Sequence, residues 1–241
     1  FTPGSMGHQS SEAPRIGKMQ YDSFEALLLR ETFDGGFKIT KLTDDSGNKL
    51  KHRVVDTMMR VDLPKPLKTG EKFTYRIDWH YTITDSRTSR GRSNMEKFEK
   101  GGKIFEIAQW YPRVCAYTDV RGWQNKAFLG RGEFALEFGD YRVQITAPDN
   151  HIVASTGELQ NGDKVLKPVW QKRLKEAESA KAPMFIVTPK EATENEKSKS
   201  KGTKTWIFEA KNVRDFAWAS SKKFIWDAVQ HKLTTSQNPV W

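Results

Sequence analysis

Between Phe73 and Ile83 the chain alternates without a break. Phe73, Tyr75, Ile77, Trp79, Tyr81 and Ile83 are apolar or aromatic, and Thr74, Arg76, Asp78, His80 and Thr82 fall between them. A period of two is the signature of a strand with one buried face, and β-branched and aromatic residues suit it. Ahead of it, Leu63-Pro-Lys-Pro-Leu-Lys-Thr-Gly70 carries two prolines and a glycine, which read as a turn following a strand over Val54–Val61. Further upstream, Phe37–Leu42 and the residues from Leu50 onward flank Asp44-Asp-Ser-Gly-Asn48, a hairpin signal.

More short strands are predicted at Ile104–Trp110, Tyr141–Ala147, His151–Ser155, Thr205–Ala210 and Phe216–Ser220. Many short strands separated by turn signals point to an all-β sandwich or barrel. One helix interrupts them: from Pro168 to about Ala180, Trp170, Leu174 and Ala177 recur at helical spacing. After Pro189 the polar run to Gly202 is expected to start as a helical turn and continue as a mobile loop. No internal repeat is present.

Composition narrows the function classes. The 241 residues include 37% hydrophobic side chains, 8 Trp and 14 Phe, enough to build a core despite 29% charged residues. The formal net charge is +10. Eleven Lys/Arg against five Glu between Lys164 and Lys204 contribute +6 of it. Single-strand binding wants basic residues interleaved with stacking aromatics. This stretch is aromatic-poor apart from Trp170, so it reads as a solvated insertion and not as a nucleic-acid surface. No run approaches the roughly 20 apolar residues of a membrane span.

The residue pairs that carry chemistry are missing. One cysteine, Cys115, rules out an internal disulfide or a multi-thiolate zinc site, and it reads as a structural thiol. None of His8, His52, His80, His151 and His231 has another histidine within four residues, so no helical zinc pair exists. No Gly-x-Ser-x-Gly elbow occurs, and Gly130, Gly132 and Gly139 fit tight turns better than a phosphate loop. Paired carboxylates for glycoside hydrolysis are not readable from sequence, since the two acids can lie anywhere along the chain.

Two stretches are distinctive: Ile107-Ala-Gln-Trp-Tyr-Pro-Arg-Val-Cys-Ala-Tyr-Thr-Asp-Val-Arg-Gly-Trp123, and Gly130-Arg-Gly-Glu-Phe-Ala-Leu-Glu-Phe-Gly-Asp-Tyr-Arg-Val-Gln-Ile-Thr-Ala-Pro-Asp149 leading to Ala154-Ser-Thr-Gly-Glu-Leu159. With the Leu63–Tyr81 turn and strand and Asn212-Val-Arg-Asp-Phe-Ala-Trp218, they resemble, in order, the N-terminal domain of the aminopeptidase N family of gluzincin zinc metallopeptidases, in a bacterial branch. The resemblance covers residues 35 to 228.

It implies a saddle-like β-sandwich, non-catalytic in itself, packed on a thermolysin-like catalytic domain. That domain supplies the zinc, a His-Glu-x-x-His helix, a distal glutamate and a Gly-x-Met-Glu-Asn motif. None of these motifs occurs here. The fragment therefore has no catalytic residue or cofactor of its own, zinc belongs to the presumed parent, and the expected partners are the catalytic domain of the same parent chain and its peptide substrate. Related enzymes use a Gln or Glu from a loop of this domain to hold the substrate's α-amino group, and Gln109 matches that position. A hydrogen-bonding role at a strand edge is the other reading of Gln109.

Trp110, Tyr111 and Trp123 are expected in core or interdomain packing, and Glu133, Glu137 and Asp140 as solvated side chains. Residues 1–14 read as an expression scar or disordered segment, 15–228 as the β domain with its helical and basic insertion at 164–204, and 229–241 as the start of a linker. The compartment stays open, leaning to the bacterial envelope, periplasmic or membrane-associated. The competing function class is a non-catalytic interaction module that binds an acidic partner or polysaccharide, and an apolar docking patch is what the fragment reading expects instead.

Overall fold

The structure is a computed structural model; it describes residues 33–87, 91–99, 102–127, 135–232 and 239–240 together with Tyr21, Phe24, Glu25 and Leu28. It is mainly β, as the alternation predicts. The chain divides into two compact units, Phe1–Arg90 with Tyr111–Glu137 and Gly91–Trp110 with Phe138–Trp241.

In the first unit, β1 (Lys38–Asp44) pairs with β4 (Tyr75–His80), Leu42 opposite Ile77 and Asp44 opposite Tyr75, with a register shift between Ile39 and Lys41. The predicted alternation holds: Ile77 and Trp79 are half-buried while Arg76, Asp78 and His80 are exposed. The expected hairpin at Asp44–Asn48 shrinks to a turn. The Asp44 carboxylate accepts the Asn48 amide N–H at 2.8 Å and its Nδ2 at 3.0 Å, and Gly47 takes the left-handed φ of 88°. One bridge, Thr43 to Lys49, follows before the chain leaves. The strand predicted over Val54–Val61 is instead a hairpin, β2 (His52–Val55) against β3 (Met58–Val61). It turns at Asp56, whose φ of 51° a short polar side chain tolerates. The unit also contains β5 (Thr84–Asp85), with Asp85 clamped by Arg87 at 2.8 and 3.0 Å.

The second unit holds β6 (Ser93–Phe98) and β7 (Gly102–Ile107), while a small hairpin of the first unit, β8 (Tyr117–Thr118) and β9 (Gly122–Trp123), follows in sequence. The second unit continues with β10 (Gly139–Pro148), β11 (Ile152–Ser155) and β12 (Glu158–Leu159). Next come helices α1 (Gly162–Val165) and α2 (Pro168–Ala177), then β13 (Met184–Val187) and α3 (Pro189–Lys197). Strands β14 (Thr203–Val213), β15 (Trp218–Ser221), β16 (Trp226–Ala228), β17 (His231–Lys232) and β18 (Pro239–Val240) complete it.

Strands β11, β15, β7 and β6 lie side by side in that order, and β10, β14 and β12 form a second sheet. The long β10–β14 ladder sets Ile145 opposite Trp206 and Val143 opposite Phe208. Trp206, Phe208 and Ala210 are buried at every second residue, so one face of β14 is core. Ile107, Ile152, Val153, Ile186, Val187 and Phe216 are buried with them.

Helix α2 runs as the spacing predicts, with Trp170 and Ala177 buried, and stops at Ala177. The segment after Pro189 departs from the expected loop: α3 is a nine-residue helix closed by a capping box of Thr188 and Glu191. The residues beyond it are tied down too. Ser200 Oγ donates to Asp149 at 2.8 Å and Asn150 Nδ2 to the Ser198 carbonyl at 3.2 Å.

Candidate functional site

Gln109 stands just past the end of β7, two residues before the chain leaves the second unit. The approach is rigid. Ile107 is buried opposite Trp218, the Ala108 N–H donates to the Arg92 carbonyl at 2.8 Å, and Ser93 Oγ donates to the Ala108 carbonyl at 2.7 Å. The backbone then turns sharply, since Gln109 has a φ of 52°. Asp56 and Asn212 are the other described non-glycine residues in that left-handed region. Both have short side chains that can hydrogen-bond locally and so tolerate it; glutamine lacks that help, and the conformation costs on the order of 1 kcal/mol.

The residue after the bend is the anchor. Trp110 Nε1 donates to the carbonyl of Phe216 at 2.9 Å, and Phe216 is fully buried with the Tyr141 ring 5.9 Å from its own. Around Phe216 the distinctive sequence stretches interlock. The Thr156 N–H donates to the Ala217 carbonyl at 2.9 Å, and the Ala217 N–H returns to Thr156 Oγ1 at 3.1 Å. The Asn212 N–H donates to Asp140 Oδ1 at 2.9 Å. Gly157, at φ 86°, lies so close to the Glu209 carbonyl that any Cβ would overlap it. Residues from 107–110, 139–159 and 212–218 thus fix one another through buried side chains and backbone bonds.

The side chain of Gln109 is half-buried, and among the described residues its amide makes no hydrogen bond. Asp140 is held within its own unit by Asn212, Glu137 is exposed, and Glu133 lies outside the described residues, as do Gly130 and Gly132. In the first unit Trp123 is 58% exposed and meets Tyr117 edge-on at 5.3 Å, and Val114 and Val120 of the same stretch are exposed as well. Exposed apolar side chains are thus gathered on and beside this hairpin.

The remaining candidates have ordinary surroundings. Cys115 is half-buried, and burial pushes its thiol pKa up, away from the reactive thiolate. His80 is exposed on β4, and His151 Nδ1 meets Ser220 Oγ at 2.8 Å. Among the described residues no group of three or more His, Cys, Asp or Glu side chains is placed to hold a metal ion. Two shallow depressions exist, one of about 490 Å³ beside Asp44, Leu50 and Leu63 and one of about 200 Å³ beside Tyr141 and Glu209; neither includes Gln109.

Sequence reasoning missed the best-satisfied charged group. Glu191 accepts hydrogen bonds from the Thr188 N–H at 2.9 Å, the Thr188 hydroxyl at 2.8 Å, Arg173 at 2.6 Å and Trp170 Nε1 at 3.3 Å. Burial disfavours its charge, but the Thr188 N–H, Arg173, the Thr188 hydroxyl and Trp170 outweigh it and hold the carboxyl at about 2. Threonine followed three residues later by glutamate was the available signal.

No protein-family model matches the sequence, and no curated protein sequence matches it. Among solved structures the chain is similar to an M1 zinc metallopeptidase from Deinococcus radiodurans, at 13% identity and a TM-score of 0.38, over 77% of this chain and 32% of that one. The chain thus spans about a third of that protein, and a likeness this loose fixes neither a family nor an activity.

Proposed function

We propose that this chain is a non-catalytic β domain of a zinc-dependent aminopeptidase, and that Gln109 offers its amide oxygen to the α-ammonium group of the peptide substrate. The observation that carries the reading is the combination at Gln109. An amide that has no hydrogen-bond partner among the described residues sits on a strained backbone, next to a tryptophan anchored in the core, inside the stretch that resembles the family. Strain of that kind persists only where the surroundings enforce it, and it clusters where a side chain must be aimed.

A neutral amide oxygen suits an ammonium group, since hydrogen bonds with one charged partner are among the stronger ones. In the parent enzyme, zinc would polarise the scissile carbonyl and activate water. This domain contributes no group to that step. Its part is to bind and orient: the Ile107–Trp110 segment fixes where the amide points, and the substrate's free N-terminus is selected by the charge it presents. The exposed Tyr117–Trp123 hairpin supports the same reading, as an apolar surface suited to packing against the catalytic domain.

The test is made on the full-length parent. It is expected to cleave aminoacyl reporters, to lose that activity with a chelator and to regain it with zinc. A parent inert toward aminoacyl reporters under zinc-replete conditions would contradict the reading.

A further inference from the structure

Segments far apart in sequence meet at the turn 149–151 of the second unit, and each brings lysines. Lys97 and Lys103 stand directly opposite each other across β6 and β7. Like charges in that position destabilise a sheet, so the pair is retained at a cost. Ser221 Oγ donates to the Lys103 carbonyl at 2.9 Å, bringing the following Lys222 close; its side chain crosses Gly102, where an added Cβ would come within 2.9 Å of the Lys222 Cε. Asn195 then joins the parts, donating from Nδ2 to the Lys222 carbonyl at 2.9 Å and to the Asn150 carbonyl at 2.7 Å. From the other side, Ser198 and Ser200 are bonded to Asn150 and Asp149, which delivers Lys199 and Lys201 to the same turn.

Two of the nearby acids have partners of their own. Asp149 accepts from Ser200 Oγ and the Lys201 N–H, and Glu196 pairs with Lys223 at 2.5 Å. Among the described residues none of Lys97, Lys103, Lys199, Lys201 and Lys222 makes an ion pair. The character of the surface narrows what it can take. The Lys223 ammonium lies 5.2 Å over the Phe98 ring, so a cation already occupies a face on which a base would stack. The surface has no apolar centre of the kind a folded protein partner would bury. Its cations are all lysines, flexible point charges suited to diffusely placed anionic groups.

We infer that this lysine cluster is a binding surface for an anionic polysaccharide, whose sulfate or carboxylate groups neutralise Lys97, Lys103, Lys199, Lys201 and Lys222. The inference is independent of the peptidase reading. Binding of the chain to a sulfated polysaccharide and to a uronate polymer, against neutral dextran and single-stranded DNA and anionic phospholipid vesicles, tests it. The charged glycans are expected to bind, neutral dextran not at all, and affinity to fall about tenfold or more between roughly 50 and 300 mM salt as the charges are screened.

K97E/K103E and K199E/K201E should each weaken glycan binding about tenfold, whereas K172E/K175E on α2, with the same change in net charge, should leave it within about twofold. K97E alone separates binding from folding, since it turns a repulsive cross-strand pair into an attractive one: the melting temperature should rise while glycan affinity falls. The inference is overturned if K172E/K175E weakens binding as much as K97E/K103E, if K97E/K103E binds like the unsubstituted chain, or if DNA or vesicles bind as tightly as the glycans.

Discussion

The carboxylate of Glu191 and the amide of Gln109 are both half-buried polar groups beside a helix or strand end, yet their surroundings are opposite. Glu191 is saturated: a threonine, an arginine and a tryptophan all donate to it, and it locks α3 onto α2. Among the described residues Gln109 has no side-chain hydrogen-bond partner, and it sits on a left-handed backbone that nothing local favours. A group that the fold satisfies is holding the fold together; a group that the fold strains and leaves open is free to meet a ligand. The contrast fits a structural role for Glu191 and is the ground on which the proposed role of Gln109 rests.

The comparison can be broken first at its anchor. Phe216→Ala removes a fully buried ring and the packing beneath the Trp110 bond, and by the usual cost of such cavities it should lower stability by about 3–5 kcal/mol in a denaturant titration. A loss below about 1 kcal/mol would mean that the distinctive stretches do not interlock as described.

Glu191→Gln is the next largest. It removes a charge-assisted acceptor and weakens the capping box, for an expected loss of about 2 kcal/mol. The same group gives a pH signature. Its folded pKa, about 2, lies below the ordinary 4.5, so its contribution is complete above about pH 4.5 and is lost as pH falls toward 2. Glu191→Gln should flatten that part of the stability curve; an unchanged acid limb would contradict the clamp.

The smallest effect carries the opposite sign. Gln109→Gly relieves the left-handed strain, partly offset by added chain entropy, and should leave stability unchanged or raise it by about 0.5–1 kcal/mol. A clear destabilisation would show that the glutamine side chain is structural after all.

Much of this architecture was legible in the residues. The alternation through Trp79 gave β4, the apolar residues of Tyr141–Ala147 fell in β10, and the spacing of Trp170 and Ala177 gave α2. What stayed hidden depends on contacts distant in sequence. The Asp44–Asn48 turn was readable, but that β1 forms its ladder with β4 and keeps only a bridge, Thr43 to Lys49, with the residues after the turn is a long-range choice. The break between β2 and β3 falls at an aspartate without a glycine. Helix α3 looks like loop because its stability comes from Glu191 and from Asn195 bonded across to Asn150 and Lys222. Of the lysine cluster only the part within 164–204 showed as charge; Lys97, Lys103 and Lys222 join it through strand register. Gln109 came into view by resemblance alone, since glutamine has no turn preference that would betray its backbone.

The most direct test of the proposed function is the kcat/KM of the proposed parent peptidase on an aminoacyl reporter with Gln109 replaced by alanine, glycine or glutamate. Losing a hydrogen bond to a charged ammonium group predicts a fall of about 10- to 100-fold for Gln109→Ala and Gln109→Gly, with Gln109→Glu retaining or exceeding the original value. If Gln109→Ala stays within about twofold of the unsubstituted enzyme, this side chain does not hold the peptide N-terminus.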